Sequence, residues 1–248
     1  SASPEEAEKE VVKEETVEVV ATDEEAQETE TVTVEDETKE KAESKTVPVE
    51  PVKVNPYLGK YDILDEPQAT NVDEGKIEVL EIFSYMCPHC FHFNNYLKGW
   101  LKTKAEDVEF VHLPVVYRKS WNAVAKAYFV AKNLGVLDEV HEPIFNAIHV
   151  DKKKLGGEKS LSYLFTEQGV EEQKFSDFYN SFSVDSQVRA ANATANKYGV
   201  KGVPAVIVNG KYRLSTEKSG GYKQMMQIVD YLVEEERQLM RDEGEKVE

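Results

Sequence analysis

From Tyr57 onward the apolar positions of this chain switch between two spacings, and the switches mark out its elements. After Gly75 the run "KIEVLEIFSY" is nearly continuously apolar, the pattern of a strand covered on both faces in the middle of an α/β sheet. Glu81 is the exception in that run. Past Cys87 the period lengthens: Cys90, Phe93, Leu97 and Leu101 fall at helical spacing, with Tyr96 and Trp100 beside them, so a helix starts at the cysteines. Pro88 suits its first position, where a missing N–H costs nothing and the fixed φ is already helical. "DVEFVHLPVV" reads as a second strand. Helical patterns follow in "SWNAVAKAYFVAKNLG", "LDEVHEPIFNAIH", "SLSYLFTEQG", "EEQKFSDFYNSF" and "SVDSQVRAANATANKYG", two of them stopped by Gly135 and Gly199. In "GVPAVIVNGKYRL", Asn209 and Gly210 sit between two short strand patterns in the manner of a type I′ hairpin. "GGYKQMMQIVDYLVEEERQLM" closes the chain as an amphipathic helix. The order predicts an α/β fold with a helical insertion.

The first 55 residues break this picture. They carry 18 Asp and Glu against 6 Lys, a net of −12, out of −17 for all 248 residues. They contain no aromatic residue, Leu, Ile, Gly or Cys, so they cannot bury enough apolar surface to offset the entropy of ordering. The expectation for 1–55 is a disordered acidic tether ending in the stiff, proline-spaced "TVPVEPVKVNP". A solubilising tail and a spacer from a membrane or wall both fit it. The chain begins at Ser1 rather than Met, so an N-terminal piece, a signal peptide for one, is expected to have been removed. No run of 18 apolar residues occurs, which predicts a soluble protein. The acidic balance without a basic patch argues against nucleic acid as a partner.

Both cysteines of the chain lie in "EIFSYMCPHCFHF", three residues apart. On the first turn of a helix such a pair has Cα atoms close enough to be bridged. The positive end of the helix and its unpaired N–H groups lower the pKa of Cys87, and His89 adds a donor or a charge. Cys87 at the tip can meet a partner sulfur while Cys90 lies one turn inside, so one attacks and the other resolves. Zinc held by Cys87, Cys90, His89 or His92 and a distant histidine is a poor alternative: there is no second cysteine pair, and His112, His141 and His149 are scattered along the sequence. A purely structural disulfide would close too small a loop to stabilise much. Two inert buried thiols remain the blandest reading.

"VLEIFSYMCPHCFHF" together with "GVPAVIVNGKY" resembles the DsbA family, the bacterial periplasmic thiol:disulfide oxidoreductases of the thioredoxin superfamily, and the likeness runs from about Gly59 to Leu239. The resemblance implies a thioredoxin fold interrupted by an all-helical subdomain: 56–116 as its first part, 117–182 as the insertion and 183–248 as its second part. It implies Cys87 as nucleophile, Cys90 as buried partner, and Pro88 and His89 as the dipeptide that tunes them. Pro204 matches the family's cis-proline, with Val203 pairing its backbone to an extended substrate chain. Glu81 matches a buried acid beneath the site, its plain alternative being an exposed strand residue. His112 stands where well-studied members place a lysine, which opens the assignment of a Glu81–His112 proton relay. Met86 and Val203 are expected to line a mildly apolar groove.

The reaction so implied is oxidation of dithiols in newly exported, unfolded proteins, followed by reoxidation by a membrane quinone reductase of the DsbB kind. No metal or organic cofactor is implied, the location is the periplasm, and a monomer is the default. Two other readings stand beside it: a disulfide reductase or isomerase on the same fold, and a non-catalytic binding module for unfolded secreted proteins.

Overall fold

The run Ile77–Phe83 is buried at every position, as its unbroken apolar pattern demands. The computed structural model describes residues 54–245, so the tether expected over 1–55 lies, but for its last two residues, outside the described residues. In chain order the elements are β1 (Asp62–Ile63), β2 (Ile77–Phe83), α1 (Pro88–Leu101), β3 (Val108–Pro114), a 3₁₀ turn (Lys119–Trp121), α2 (Asn122–Leu134), α3 (Leu137–His149), α4 (Glu158–Glu167), α5 (Glu172–Tyr179), α6 (Phe182–Lys197), β4 (Ala205–Val208), β5 (Tyr212–Ser215), the short α7 (Thr216–Ser219) and α8 (Tyr222–Glu245). The α/β expectation with a helical insertion between β3 and β4 is met.

One five-stranded sheet has the order β1-β5-β4-β2-β3. β2 and β3 run parallel, with α1 as the crossover, and their register sets Glu81 opposite His112. β4 lies antiparallel to β2, and β5 antiparallel to β4. The Asn209–Gly210 turn takes the doubly positive φ of a type I′ hairpin, 48° and 66°, closed by Lys211 N–H donating to the Val208 carbonyl at 3.0 Å. Glycine is required at 210 twice over, because a Cβ there would stand 2.0 Å from the Gln68 carbonyl oxygen. β1 has only two residues and pairs with β5, so nothing in its own sequence announces it.

Helices cover both faces of the sheet. Val79, Val206 and Val208 meet Phe93 and Leu97 of α1 and Ile228, Val229 and Leu232 of α8. On the other face Leu80, Ile82 and Ile207 meet Ala195 and Tyr198 at the end of α6. A third cluster fills the insertion, where Tyr128, Ile144, Phe145, Leu161, Phe165 and Phe175 are almost wholly buried. Each such side chain contributes about 1.5–3 kcal/mol by leaving water. Cys87 and Cys90 belong to the edge of this third cluster, so the cysteines lie on the seam between sheet and insertion. α6 serves both bodies: Val184, Val188 and Ala191 pack into the insertion and Ala195 onto the sheet. The boundary drawn at 182/183 therefore falls at the first turn of a shared helix.

Candidate active site

β2 ends at Phe83, and a short turn delivers Cys87 to the N-cap of α1, with φ −90° and ψ 116°. The turn is tied by Cys87 N–H donating to the Ser84 carbonyl at 3.1 Å and by Met86 N–H donating to Ser84 Oγ at 3.2 Å. Pro88 occupies the first helical position and, like His89, is exposed. Cys87 keeps 6% of its surface and Cys90 none, and both are free thiols. The tip-and-interior division expected of them is what the geometry shows.

The two sulfurs have opposite acidities. The Cys90 thiol, donating to Cys87 Sγ, is the largest influence that lowers the Cys87 pKa, to about 6; the backbone N–H groups of Cys90 and His89 add to it, against the cost of burial. The His89 charge comes last among these contributions, behind the donor that the same residue supplies through its backbone N–H. The Cys90 N–H lies 3.4 Å from Cys87 Sγ. Cys90 itself is pushed well above the ordinary thiol range, first by burial and then by the Cys87 sulfur. The N–H groups of a helix end and the inward thiol thus converge on one sulfur.

Across from Cys87 the Val203–Pro204 peptide bond is cis, and the Cys87 thiol donates to the Val203 carbonyl at 3.4 Å. Val203 and Met86 are half-buried and pack against the insertion's core. Val203 also lines the recess beside the site, whereas Met86 does not. The recess beside the site, about 860 Å³, runs from His89 along the Gly199–Ala205 loop to Asp62, Arg213 and Thr216. Its far end is ionic, with Arg213 Nη2 donating to Asp62 Oδ2 at 3.0 Å. Val200, Val203, Pro204 and Leu214 give the recess the mildly apolar share expected of it, and Asp62, set beside Arg213 by the pairing of β1 with β5, adds an ionic end.

Beneath the cysteines, Glu81 is 2% exposed and its Oε2 lies 2.6 Å from His112 Nδ1. The exposed-strand alternative for Glu81 is excluded. Burial raises Glu81 to about 8 and lowers His112 to about 4, so near neutral pH the pair holds one exchangeable proton. The Glu81 charge is felt at Cys90.

Tyr85 and Tyr222 escaped sequence reading. Tyr85, fully buried two positions before Cys87, bonds His141 Nδ1 through its hydroxyl at 2.8 Å, and its carbonyl accepts from His149 Nε2 at 2.7 Å. His141, Phe145 and His149 form one stripe of α3, spaced four apart, and Phe145 packs edge-on against the Tyr85 ring at 4.9 Å. That spacing was readable; its target was not. Each of the distant histidines weighed for zinc, His112, His141 and His149, is engaged with its own partner. Tyr222, at the start of α8, sets its hydroxyl 3.4 Å from His89 Nδ1.

A thiolate-prone cysteine at a helix end, its protonated partner one turn in, and the carbonyl that precedes a cis-proline against the outer sulfur define a thiol–disulfide exchange protein on a thioredoxin-like sheet. Residues 78–233 match the DSBA-like thioredoxin domain family. Over 163 residues the chain is 39% identical to the thiol:disulfide interchange protein DsbA of Pseudomonas aeruginosa, covering 66% of this chain and 77% of that protein. The DsbA of Burkholderia cepacia is 34% identical over 181 residues, covering 73% and 85%. The crystal structure of P. aeruginosa DsbA matches with a TM-score of 0.70 at 36% identity, covering 74% of this chain and 95% of that one. DsbA from Xylella fastidiosa matches at 0.67 and 34%, covering 71% and 95%. The chain belongs to the DsbA-like thioredoxin-domain family and is a thiol:disulfide oxidoreductase.

Proposed function

We propose that the protein oxidises dithiols of newly exported, unfolded proteins in the periplasm, acting as a monomer through the Cys87–Cys90 disulfide. A substrate thiolate attacks Cys87 Sγ; the Cys87–Cys90 bond breaks and its electron pair leaves on Cys90. Glu81 gives that sulfur a proton, and His112, hydrogen-bonded to the carboxyl, carries the replacement. A second substrate thiolate then attacks the substrate sulfur of the mixed disulfide. The substrate leaves with its own disulfide, two electrons poorer, and Cys87 departs as the stabilised thiolate. Val203 and Pro204 hold the substrate backbone beside the sulfur, with Met86 behind them. Pro88 and His89 shape the N–H groups that face Cys87. The redox equivalents reside in the sulfurs, so the reaction needs no metal or organic cofactor, only a partner that returns the pair to the disulfide, a membrane quinone reductase of the DsbB kind. Among the described residues no helix is long and apolar enough to cross a membrane.

The observation that carries this reading is the opposed acidity of the pair. Cys87 at about 6 is a good leaving group at neutral pH, and Cys90, raised by burial, is a sulfur that a nearby acid must protonate. Trapping tests it. Cys90→Ala accumulates reductant-reversible adducts with a reduced substrate and Cys87→Ser accumulates none; adducts on Cys87→Ser would invert the assignment. One observation favours the reductase or isomerase alternative, because about 6 lies nearer thioredoxin's roughly 7 than the family's own reference value of about 3.5 for a DsbA. Equilibration with glutathione separates them: a potential close to the thioredoxin value of about −270 mV refutes the oxidase, and one close to the family's about −120 mV supports it.

A further inference from the structure

The outer face of α1 continues from the active site as a row of exposed side chains. His89, His92 and Tyr96 recur at three- and four-residue steps, so they share one face of the helix, and all three are exposed, Tyr96 by 46%. Tyr222 of α8 leans against this row. Its ring centroid lies 5.5 Å from that of Tyr96 and 5.6 Å from that of the buried Phe93, and its hydroxyl reaches His89. Gly220 and Gly221, at φ 83° and 110°, make the bend that starts α8 with this ring over α1. Between the two helices is a recess of about 540 Å³ lined by His92, Asn95, Tyr96 and Tyr222, none of which carries a negative charge. Together with His89, Tyr222 also lines the recess along the cis-proline loop, so its one ring borders both recesses.

From this geometry we infer that Tyr96 and Tyr222 form a shelf that takes an aromatic side chain of the substrate polypeptide, making these two tyrosines determinants of substrate choice. The inference rests on the oxidase reading and specifies which substrates it favours. Two partly exposed aromatic rings at stacking distance, beside the reacting sulfur and bordering a recess without an acidic side chain, offer a third ring a contact that an aliphatic or charged side chain does not match. The reach is defined by the helix. His92 and Tyr96 are five and nine residues beyond Cys87, about 7 to 13 Å along the axis at roughly 1.5 Å per residue. An extended substrate strand covers that in about two to four residues at roughly 3.3 Å each. The shelf therefore reads a position two to four residues from the substrate cysteine.

The test uses the full chain and two-cysteine peptides in which one position, two to four residues before or after the attacking cysteine, is Trp or Ser. The Trp peptide is expected to show about tenfold higher kcat/KM on at least one side, the size typical of one apolar side chain entering a pocket, expressed in KM rather than kcat. In Tyr96→Ser the Trp-to-Ser ratio falls to about one, and in Tyr222→Phe, which keeps the ring and loses the hydroxyl, the ratio is kept. A ratio of about one in the unaltered protein, with the peptides still oxidised, overturns the shelf and leaves the oxidase reading standing. A ratio unchanged by Tyr96→Ser, or abolished by Tyr222→Phe, overturns it as well. Peptides left unoxidised overturn the functional reading and the shelf together.

Discussion

Removing the inner sulfur is the sharpest perturbation of the outer one. In Cys90→Ala the backbone N–H groups of His89 and Cys90 still face Cys87, because they belong to the helix, but the S–H that donates to the Cys87 sulfur is gone. That donor is the largest influence lowering the Cys87 pKa to about 6. A hydrogen bond to a charged group is worth about 1.5–3 kcal/mol, and a thiol is a weak donor, so the lower end applies. At about 1.4 kcal/mol per pKa unit the loss amounts to about one unit, placing Cys87 of Cys90→Ala near 7. His89→Gln removes only the weakest contribution, the histidine's charge, and should raise the pKa by less than about half a unit. In that variant both cysteines remain, so its reduction potential falls by less than about 15 mV, at about 30 mV per tenfold change in a two-electron equilibrium. The assay is the pH dependence of thiolate absorbance, cross-checked by the rate of iodoacetamide alkylation. The order is the decisive result. If His89→Gln raises the Cys87 pKa more than Cys90→Ala does, the thiolate is held by the histidine charge and the assignment of its main support to Cys90 is refuted.

Three further outcomes follow from the buried groups and the tight turn. The neutral Glu81 carboxyl, raised to about 8, contributes stability that is complete below its unfolded value of about 4.3 and lost as pH rises through about 8; His112, lowered to about 4, contributes stability present above about 6.5 and lost as pH falls through about 4. Only the Glu81 slope remains above about 6.5, so denaturant titrations of the oxidised protein should show stability declining from there to pH 8 by up to about 1.4 kcal/mol per unit, and Glu81→Gln should flatten the decline. Gly210→Ala places a Cβ 2.0 Å from the Gln68 carbonyl at a φ of 66° and should cost more than about 1 kcal/mol, read as a lower melting temperature; an unchanged melting temperature would show that the turn relaxes freely. Tyr85→Phe leaves His141 Nδ1 without its hydroxyl partner in a buried site and should destabilise by about 1–3 kcal/mol in chemical denaturation, with a near-neutral result indicating that His141 finds another partner.

The features legible in the sequence were those whose signal is local. β2 was readable from an unbroken apolar run, the cysteine helix from a change of period and a proline at its first position, and the hairpin from an Asn-Gly pair. α3 begins and ends where its pattern does, at Leu137 and His149. α5 stops at Tyr179, short of the pattern that ran on through "NSF", because Ser181 instead caps α6, its Oγ accepting from Val184 N–H at 3.2 Å. What stayed hidden depends on pairings made by the fold. The 2.6 Å contact of Glu81 with His112 exists because β2 and β3 run parallel in that particular register, 31 residues apart in sequence. Tyr85 and His141 are 56 positions apart, and Tyr222 and His89 are 133. The ionic end of the recess stayed hidden for the same reason, since Asp62 enters it on a two-residue strand with no pattern of its own.

The grip of α3 on Tyr85 bears on the speed of exchange. Ring, hydroxyl and carbonyl of that residue are each held from the same helix, so the turn that ends in Cys87 has few torsions left to explore. The entropy of ordering that turn, about 1–2 kcal/mol per residue, is incurred once, when the chain folds. An arriving thiolate then meets a sulfur whose direction of approach is already defined, and the encounter behaves more like an intramolecular step, with a high effective molarity, than like a collision with a mobile loop.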